Sequence, residues 1–179
     1  MKHYYSKVQG WASFIGLYKE VIDSLPYGLI VEIGTWKGKS AAFAGVEIIN
    51  SGKPIRFVTV DHFQGSPNHR DCEDVKTLEQ QARANLKPVA SVVDVLALPS
   101  VEAAATFEDG SIDFLFIDGT HDYENVKADL LAWKPKVKAG GLIAGDDANW
   151  DGVKEAAREI LGEIVIVEPS PKGRYWRAA

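Results

Sequence analysis

The chain alternates short apolar runs with stretches of helical spacing, and this alternation restricts its fold more than any other feature. The apolar runs are continuous and are bounded by Gly, Pro or Asp. Such runs are typical of parallel strands that are covered on both faces. Strand–helix alternation with right-handed crossovers predicts a doubly wound α/β sheet. The five predicted strands are Leu29–Ile33, Ile55–Val60, Ala90–Val93, Ile112–Ile117 and Gly141–Ala144.

The two ends of the chain depart from this alternation. Residues 10–25 have the spacing of an amphipathic helix that packs on the first strand. Residues 163–177 form two β-rich runs around a Pro/Lys/Gly turn, which predicts an antiparallel hairpin at one sheet edge. We therefore divide the chain into an N-terminal helical segment, 1–27, and a single domain, 28–179. The helices predicted between the strands are Ser40–Asn50, Val75–Leu86, Ser100–Phe107, Tyr123–Trp133 and Val153–Leu161.

Charge and composition exclude several classes of protein. The net charge is −5, so we expect neither a basic surface that tracks phosphates nor a nucleic-acid partner. No apolar run approaches the ~18 residues of a membrane span. The first residues lack the apolar region of a signal peptide, which predicts a cytoplasmic protein. A single cysteine, Cys72, excludes an internal disulfide framework and a cysteine-based zinc cluster.

Acidic side chains stand at or beside the end of every predicted strand. In open α/β sheets, ligands bind outside the carboxyl ends of the strands. One aspartate in such a place is usually a helix N-cap, but five strands that share the feature favour a cationic or hydroxyl-rich ligand. These residues are Glu32, Asp61, Asp94, Asp118, Asp146 and Asp147.

The loop after the first predicted strand, Gly34–Ser40, is similar to a phosphate-binding loop but has the wrong spacing. The pattern requires a glycine where this chain has Ile33. The dinucleotide pattern fails as well, because Trp36 replaces the glycine that lets a backbone approach a pyrophosphate. A P-loop-like NTPase or kinase stays as an alternative, and ATP binding that depends on Lys39 would distinguish it.

Five segments together resemble the class I S-adenosylmethionine-dependent methyltransferases. They read VEIGTWKGKS, VTVDHF, SVVDV, FLFIDGTHDYENVKADL and VKAGGLIAGDD, and they follow that family's order and spacing over about residues 28–150. The DGTH and GDD segments resemble the metal-dependent small-molecule O-methyltransferases of the catechol and macrolide-sugar (macrocin) types. The resemblance implies a mostly parallel Rossmann-like sheet of order 3-2-1-4-5-7-6 with the antiparallel hairpin at its C-terminal end. It also implies methyl transfer from S-adenosylmethionine to a hydroxyl oxygen of a small molecule or sugar.

The resemblance further implies a cofactor site at the first strands. Gly34 and Gly38 would let the backbone pass close to the methionyl part of the cofactor. Asp61 would accept both ribose hydroxyls, and Asp94 would lie near the adenine amino group. The other implied cofactor residues are Glu32 for the ammonium group through a water or the loop, Thr35 and Ser40 for the carboxylate, His62 for stacking on adenine, and Asp118. Ser40 is equally well explained as a helix-start residue, and His62 as an exposed loop histidine.

A metal site is expected at Asp118, Asp146 and Asp147. The strands that carry them are neighbours in this fold, about 4.8 Å apart, and three close carboxylates require a cation or a raised pKa. Oxygen ligands suit Mg²⁺, or else Ca²⁺ or Mn²⁺. The catechol-type pattern ends in Asp-Asn where this chain has two aspartates. The alternative is that Asp146 caps the following helix and Asp147 is solvated.

His121 is the predicted catalytic base. It follows Asp118 by three residues, where the macrolide-sugar enzymes carry a histidine and the catechol enzymes a lysine. A histidine with an ordinary pKa near 6.5 can accept a hydroxyl proton at neutral pH. The alternative is that His121 caps the helix that begins near Asp122.

The acceptor pocket is expected to form from residues 1–28 and 62–76, and a homo-oligomer is expected to complete it. A non-catalytic domain that binds S-adenosylmethionine stays as an alternative, as does, more weakly, a metal-dependent hydrolase. The candidate acceptor-binding residues are Tyr4, Tyr5, Trp11, His69 and Arg70.

Overall fold

A computed structural model of the protein describes residues 1–65, 73–170 and 173–179. The strands in these ranges are β1 (Gly28–Ile33), β2 (Ile55–Val60), β3 (Val93–Leu96), β4 (Ile112–Ile117), β5 (Val137–Gly145), β6 (Ile164–Ser170) and β7 (Gly173–Ala178). They form one sheet in the order β3-β2-β1-β4-β5-β7-β6. The first five strands pair in parallel, and β7 pairs antiparallel with both β5 and β6. The predicted strand order and C-terminal hairpin are therefore confirmed.

The helices are α1 (Ile15–Ser24), α2 (Lys39–Ser51), α3 (Leu78–Leu86), α4 (Ser100–Ala104), α5 (Tyr123–Trp133) and α6 (Asp151–Leu161). Short 3-10 turns cover Tyr5–Lys7, Glu73–Thr77, Lys87–Val89 and Lys134–Lys136. The N-terminal helix starts five residues later than predicted, because residues 11–14 form an irregular turn after Gly10, whose φ is +135°. Within the described residues, no helix is both long and apolar enough to cross a membrane.

Apolar side chains cover both faces of the sheet, which explains why the strands read as continuous apolar runs. One core lies between the sheet and helices α1, α2 and α3, and the other between the sheet and α4, α5 and α6. Successive residues of a strand point to opposite faces, so Phe114 and Phe116 enter the first core while Leu115 and Ile117 enter the second. Helices on both faces of a mostly parallel sheet confirm the doubly wound class.

The third strand is shifted from its predicted position. A 3-10 turn covers Lys87–Val89 and further turn residues follow at 90–92, so β3 begins only at Val93. Asp94 is therefore the second residue of β3, opposite Val58, and its exposed carboxylate pairs with Arg56. Asp94 therefore does not lie at the carboxyl end of the strand. The implied contact with the adenine amino group depended on that position, so the predicted placement of Asp94 is corrected.

A buried aspartate in α5, Asp129, predicts a pH dependence of the protein's stability. Asp129 is 7% exposed, and burial raises the pKa of its carboxyl from 3.8 to about 6. The folded state thus binds this proton more tightly than the unfolded chain, and stability is lost as the pH rises from about 4 to 6. We expect Asp129→Asn to raise the free energy of unfolding by about 1–3 kcal/mol at pH 8 and to leave it nearly unchanged at pH 4. Urea denaturation at both pH values measures this, and an equal gain at both would contradict the assignment.

Candidate functional site

The loop between β1 and α2, residues 34–38, is called the first loop from here on. It touches the end of β4 backbone to backbone. Gly34 has a φ of +99°, and a Cβ placed on it would lie 1.9 Å from the carbonyl oxygen of Asp118. The amide of Asp118 donates to Ile33 at 2.7 Å, so the two chain segments leave β1 and β4 side by side. Only glycine fits this approach.

Asp61, directly after β2, holds the first loop in place. Its Oδ2 accepts hydrogen bonds from the amides of Thr35 and Trp36, each at 2.9 Å, and its Oδ1 accepts one from Phe63 at 2.7 Å. These bonds fix Trp36 in a left-handed conformation with φ of +48°, which a non-glycine residue adopts only when its surroundings enforce it. The structure therefore brings Asp61 to the first loop, while its contact with ribose hydroxyls stays a prediction.

Glu32 lies beneath the first loop and is fully enclosed. Its carboxylate accepts hydrogen bonds from Tyr18 at 2.7 Å and from Thr59 at 2.8 Å, and Thr59 shares a further bond of 2.6 Å with Thr35. Burial raises the pKa of Glu32 to about 7, and bonds from Ser40, Tyr18 and Thr59 oppose the shift. These partners surround the carboxylate. A bound ligand would therefore interact with Glu32 indirectly, through the hydrogen bonds of Thr35 and the first loop.

Asp118, Asp146 and Asp147 form what we call the carboxylate cluster, directly after β4 and β5. The register pairs Ile117 with Gly145, which places Asp118 beside Asp146. Burial, followed by the charges of Asp146 and Asp147, raises the pKa of Asp118 well above its usual range. Burial and Asp147 also raise the pKa of Asp146 to about 7. The cluster thus carries a negative potential that a cation would relieve.

His121 joins the carboxylate cluster through Asp147. Its Nε2 lies 2.9 Å from Oδ2 of Asp147, and this hydrogen bond raises the pKa of His121 against the effect of burial. Asp122 rather than His121 caps α5, since its side chain accepts from the amide of Asn125 at 3.0 Å. The helix-cap alternative for His121 is therefore wrong.

The comparisons with known proteins agree with this geometry. The profile of a family described as a methyltransferase domain matches residues 31–148, which contain the first loop, Asp61 and the carboxylate cluster. The chain belongs to the class I S-adenosylmethionine-dependent methyltransferases.

Relatives of this methyltransferase include two enzymes named for rhamnosyl groups. A rhamnosyl O-methyltransferase of Mycobacterium bovis (strain BCG / Pasteur 1173P2) is 26% identical over 152 residues, which cover 83% of this chain and 58% of the relative. The 8-demethyl-8-(2,3-dimethoxy-alpha-L-rhamnosyl)-tetracenomycin-C 4'-O-methyltransferase of Streptomyces olivaceus is 27% identical, with 87% of this chain and 67% of the relative covered. The chain thus spans little more than half the length of the mycobacterial relative.

A solved structure confirms the fold of the methyltransferase. Cofactor-bound Rv0187 from MTB superposes with a TM-score of 0.69 and 20% identity, and the match covers 96% of this chain and 82% of that one. At this identity the match concerns the fold alone.

The predicted metal site is not assembled in the methyltransferase. Among the described residues, no group of three or more His, Cys, Asp or Glu side chains is arranged to hold a metal ion. The carboxylate of Asp147 is instead paired with His121, whose Nε2 lies 2.9 Å from its Oδ2. The structure therefore does not support the predicted ligand set.

Two of the predicted acceptor-binding residues, Tyr4 and Tyr5, make contacts within the fold. The Tyr4 hydroxyl donates to the backbone of Asn85 at 2.9 Å, and Tyr5 packs edge-on against Phe43. Trp11 is 75% exposed in the segment before α1. His69 and Arg70 lie outside the described residues.

The remaining implied cofactor residues lie around the first loop. Gly38 has a φ of +81° directly before α2, and Ser40 is buried in the first turn of that helix. His62 accepts a hydrogen bond from Gln64 at 2.9 Å and lines, with Phe63, an open cavity of about 500 Å³ beside the end of β2.

Trp150 is a site residue that the sequence analysis missed. Its ring stacks on His121, with centroids 5.7 Å apart and an interplanar angle of 20°, and it is 48% exposed. The signal in the sequence was a large apolar residue within an otherwise small and polar turn, Asp146–Gly152.

Proposed function

We propose that this methyltransferase moves a methyl group from S-adenosylmethionine to a hydroxyl oxygen of a sugar, and that His121 takes the hydroxyl proton. The observation that carries the proposal is the His121–Asp147 pair at 2.9 Å. The pair belongs to what we call the rim, which consists of the first loop, Asp61, the carboxylate cluster and His121. Within the rim, the backbone of Asp118 touches Gly34. The rhamnosyl O-methyltransferase names of two relatives support the sugar acceptor.

The residues of the rim suit a cationic cofactor. Burial, followed by neighbouring negative charge, raises the pKa values of Asp118 and Asp146, and a sulfonium ion would relieve the repulsion between the charges. When bound, S-adenosylmethionine would supply an electrophilic methyl carbon to an electron pair of the acceptor oxygen, and the electron pair of the C–S bond would stay on sulfur as a neutral thioether. Gly34 and Gly38 would admit the methionyl part, and Asp61 would accept from the ribose.

His121 performs the proton transfer in this proposal. Because Asp147 occupies Nε2, the lone pair of Nδ1 is the one left to accept the proton. The Asp147 carboxylate stabilises the imidazolium that forms, and alignment of the acceptor with the methyl donor supplies much of the remaining rate.

Lys39 disfavours the kinase alternative. Its ammonium group donates to the carbonyl of Gly10 at 2.9 Å, so it is directed to the N-terminal segment and not toward a phosphate above the first loop. A non-catalytic binding domain would bind the cofactor without turning over.

Cofactor binding tests the first half of the proposal. In Asp61→Asn an amide nitrogen replaces one oxygen and leaves backbone donors of the first loop unpaired. We expect the Kd for S-adenosylmethionine to rise about 10- to 100-fold, the loss of one or two charge-assisted hydrogen bonds. Isothermal titration calorimetry measures the Kd, and Asp94→Asn is the control because Asp94 lies on β3 away from the rim. No binding by the wild-type protein would overturn the proposed function.

Cation dependence is a separate question. We derive no step through a metal ion, because Asp147 is paired with His121 and the described residues hold no ready ligand group. Turnover measured with and without EDTA tests the point. Turnover lost in EDTA while calorimetry still shows cofactor binding would add a cation at Asp118 and Asp146 to the mechanism.

A further inference from the structure

We infer that Trp150 is the apolar wall of the acceptor site and that the C–H face of a sugar ring packs against its indole. This inference rests on the proposed function, since it places the acceptor beside His121. It adds a residue that determines which acceptors bind.

The turn that carries Trp150 is held at several points. Asp147 has a φ of +60°, and the amide of Trp150 donates back to its carbonyl at 2.9 Å. The amide of Ala148 donates to Arg174 on β7 at 2.9 Å, and the carbonyl of Trp150 accepts from Lys154 in α6 at 3.3 Å. The indole therefore projects from a backbone with little freedom.

Close packing of α5 on α6 brings Trp150 to His121. A Cβ on Gly152 would lie 3.1 Å from the amide of Tyr123, so the absence of a side chain there lets the two helix starts approach. Glu159 of α6 bonds to Lys127 at 2.7 Å and also to Tyr123. His121 precedes α5 and Trp150 precedes α6, so this packing places their rings in a stack.

The chemistry around Trp150 fits a neutral ring that carries hydroxyl groups. Its indole is about half exposed and stands beside carboxylates, which accept hydrogen bonds from hydroxyls and repel anions. A pyranose has a C–H face for the indole and hydroxyls for Asp146 and Asp147. The His121 ring covers part of the indole, with ring centroids 5.7 Å apart, so the pyranose would lie on the part that stays exposed. One of its hydroxyls would then be directed past the edge of the indole toward His121.

Saturation-transfer NMR with methyl α-L-rhamnopyranoside, in the presence of S-adenosylhomocysteine, tests the inference without requiring turnover. We expect strong transfer to the ring C–H protons in wild-type protein, retained in Trp150→Phe and lost in Trp150→Ala. In the alanine variant, the KM for the rhamnoside should rise about tenfold or more with the loss of an aromatic face, while the Kd for S-adenosylmethionine stays within twofold. Tyr27→Ala is the matched control, because Tyr27 is 65% exposed directly before β1, at the amino ends of the parallel strands and so opposite the site.

The outcomes separate this inference from the proposed function. Equal saturation transfer in wild type and Trp150→Ala would overturn the inference alone. Transfer to catechol but not to the rhamnoside would also overturn it, because the occupant would then be a planar phenol. Absence of cofactor binding in calorimetry would instead overturn the proposed function on which the inference rests.

Discussion

Replacing His121 with alanine should lower turnover by about 10²- to 10⁴-fold, the usual contribution of a positioned general base. The Kd for S-adenosylmethionine should stay within twofold, because His121 belongs to the β4–α5 connection and not to the first loop. Turnover with radiolabelled cofactor and calorimetry measure the two quantities. His3→Ala is the matched control, since His3 packs on Phe43 and pairs with Glu47, both of which belong to α2 and not to the rim.

The pH profile distinguishes a base from a residue that only shapes the site. The bond to Asp147 raises the pKa of His121 above 6.5, and the neutral ring is the active form. Turnover should therefore fall as the pH drops through a midpoint above 6.5, and Asp147→Asn should move that midpoint to lower pH. A midpoint that does not move, or a His121→Ala variant with near-normal turnover, would remove the base from the mechanism.

Gly34→Ala should abolish cofactor binding and weaken the fold. The added methyl carbon would lie 1.9 Å from the Asp118 carbonyl oxygen at a φ of +99°, so the first loop and the β4 end must separate. We expect the free energy of unfolding to fall by about 3 kcal/mol or more, and the Kd for S-adenosylmethionine to rise beyond about 100-fold. Urea denaturation and calorimetry measure these changes.

Gly16→Ala provides the reference for that substitution. Gly16 lies in α1, and nothing stands within 4 Å of a Cβ placed on it, so alanine should leave both quantities unchanged or slightly improve stability. Cofactor binding that survives in Gly34→Ala would mean that the contact between the first loop and β4 is not needed for the site.

The sheet could be predicted because its strands are marked by the same local physics throughout. The β4 run, Ile112–Ile117, is covered on both faces and is therefore apolar at every position except Asp113, and the sequence displays this directly. The predicted position of the third strand was wrong, because residues 90–92 are apolar enough to resemble a strand. The turn at Lys87–Val89 displaces the pairing with β2 to Val93–Leu96. That shift depends on how β3 aligns with β2, which is a contact between distant parts of the chain.

The sequence predicted several residues of the candidate site, but it did not predict which of their side chains contact one another. Chain order alone places Asp118, Asp146 and Asp147 at neighbouring strand ends, and their closeness follows from the fold. The orientation of Asp147 toward His121, and the stack of Trp150 on the same ring, come from the packing of α5 on α6 at Gly152. A single sequence contains no local signal for such long-range packing.

Asp61 has a consequence for the thermodynamics of ligand binding. Its carboxylate already accepts two backbone hydrogen bonds from the first loop and one from Phe63 after β2. The first loop is therefore ordered before any ligand binds. Binding then sacrifices little conformational entropy in the backbone, and more of the contact energy remains as affinity. In each turnover the cofactor binds and its demethylated product leaves. Both would therefore interact with a first loop that is already rigid.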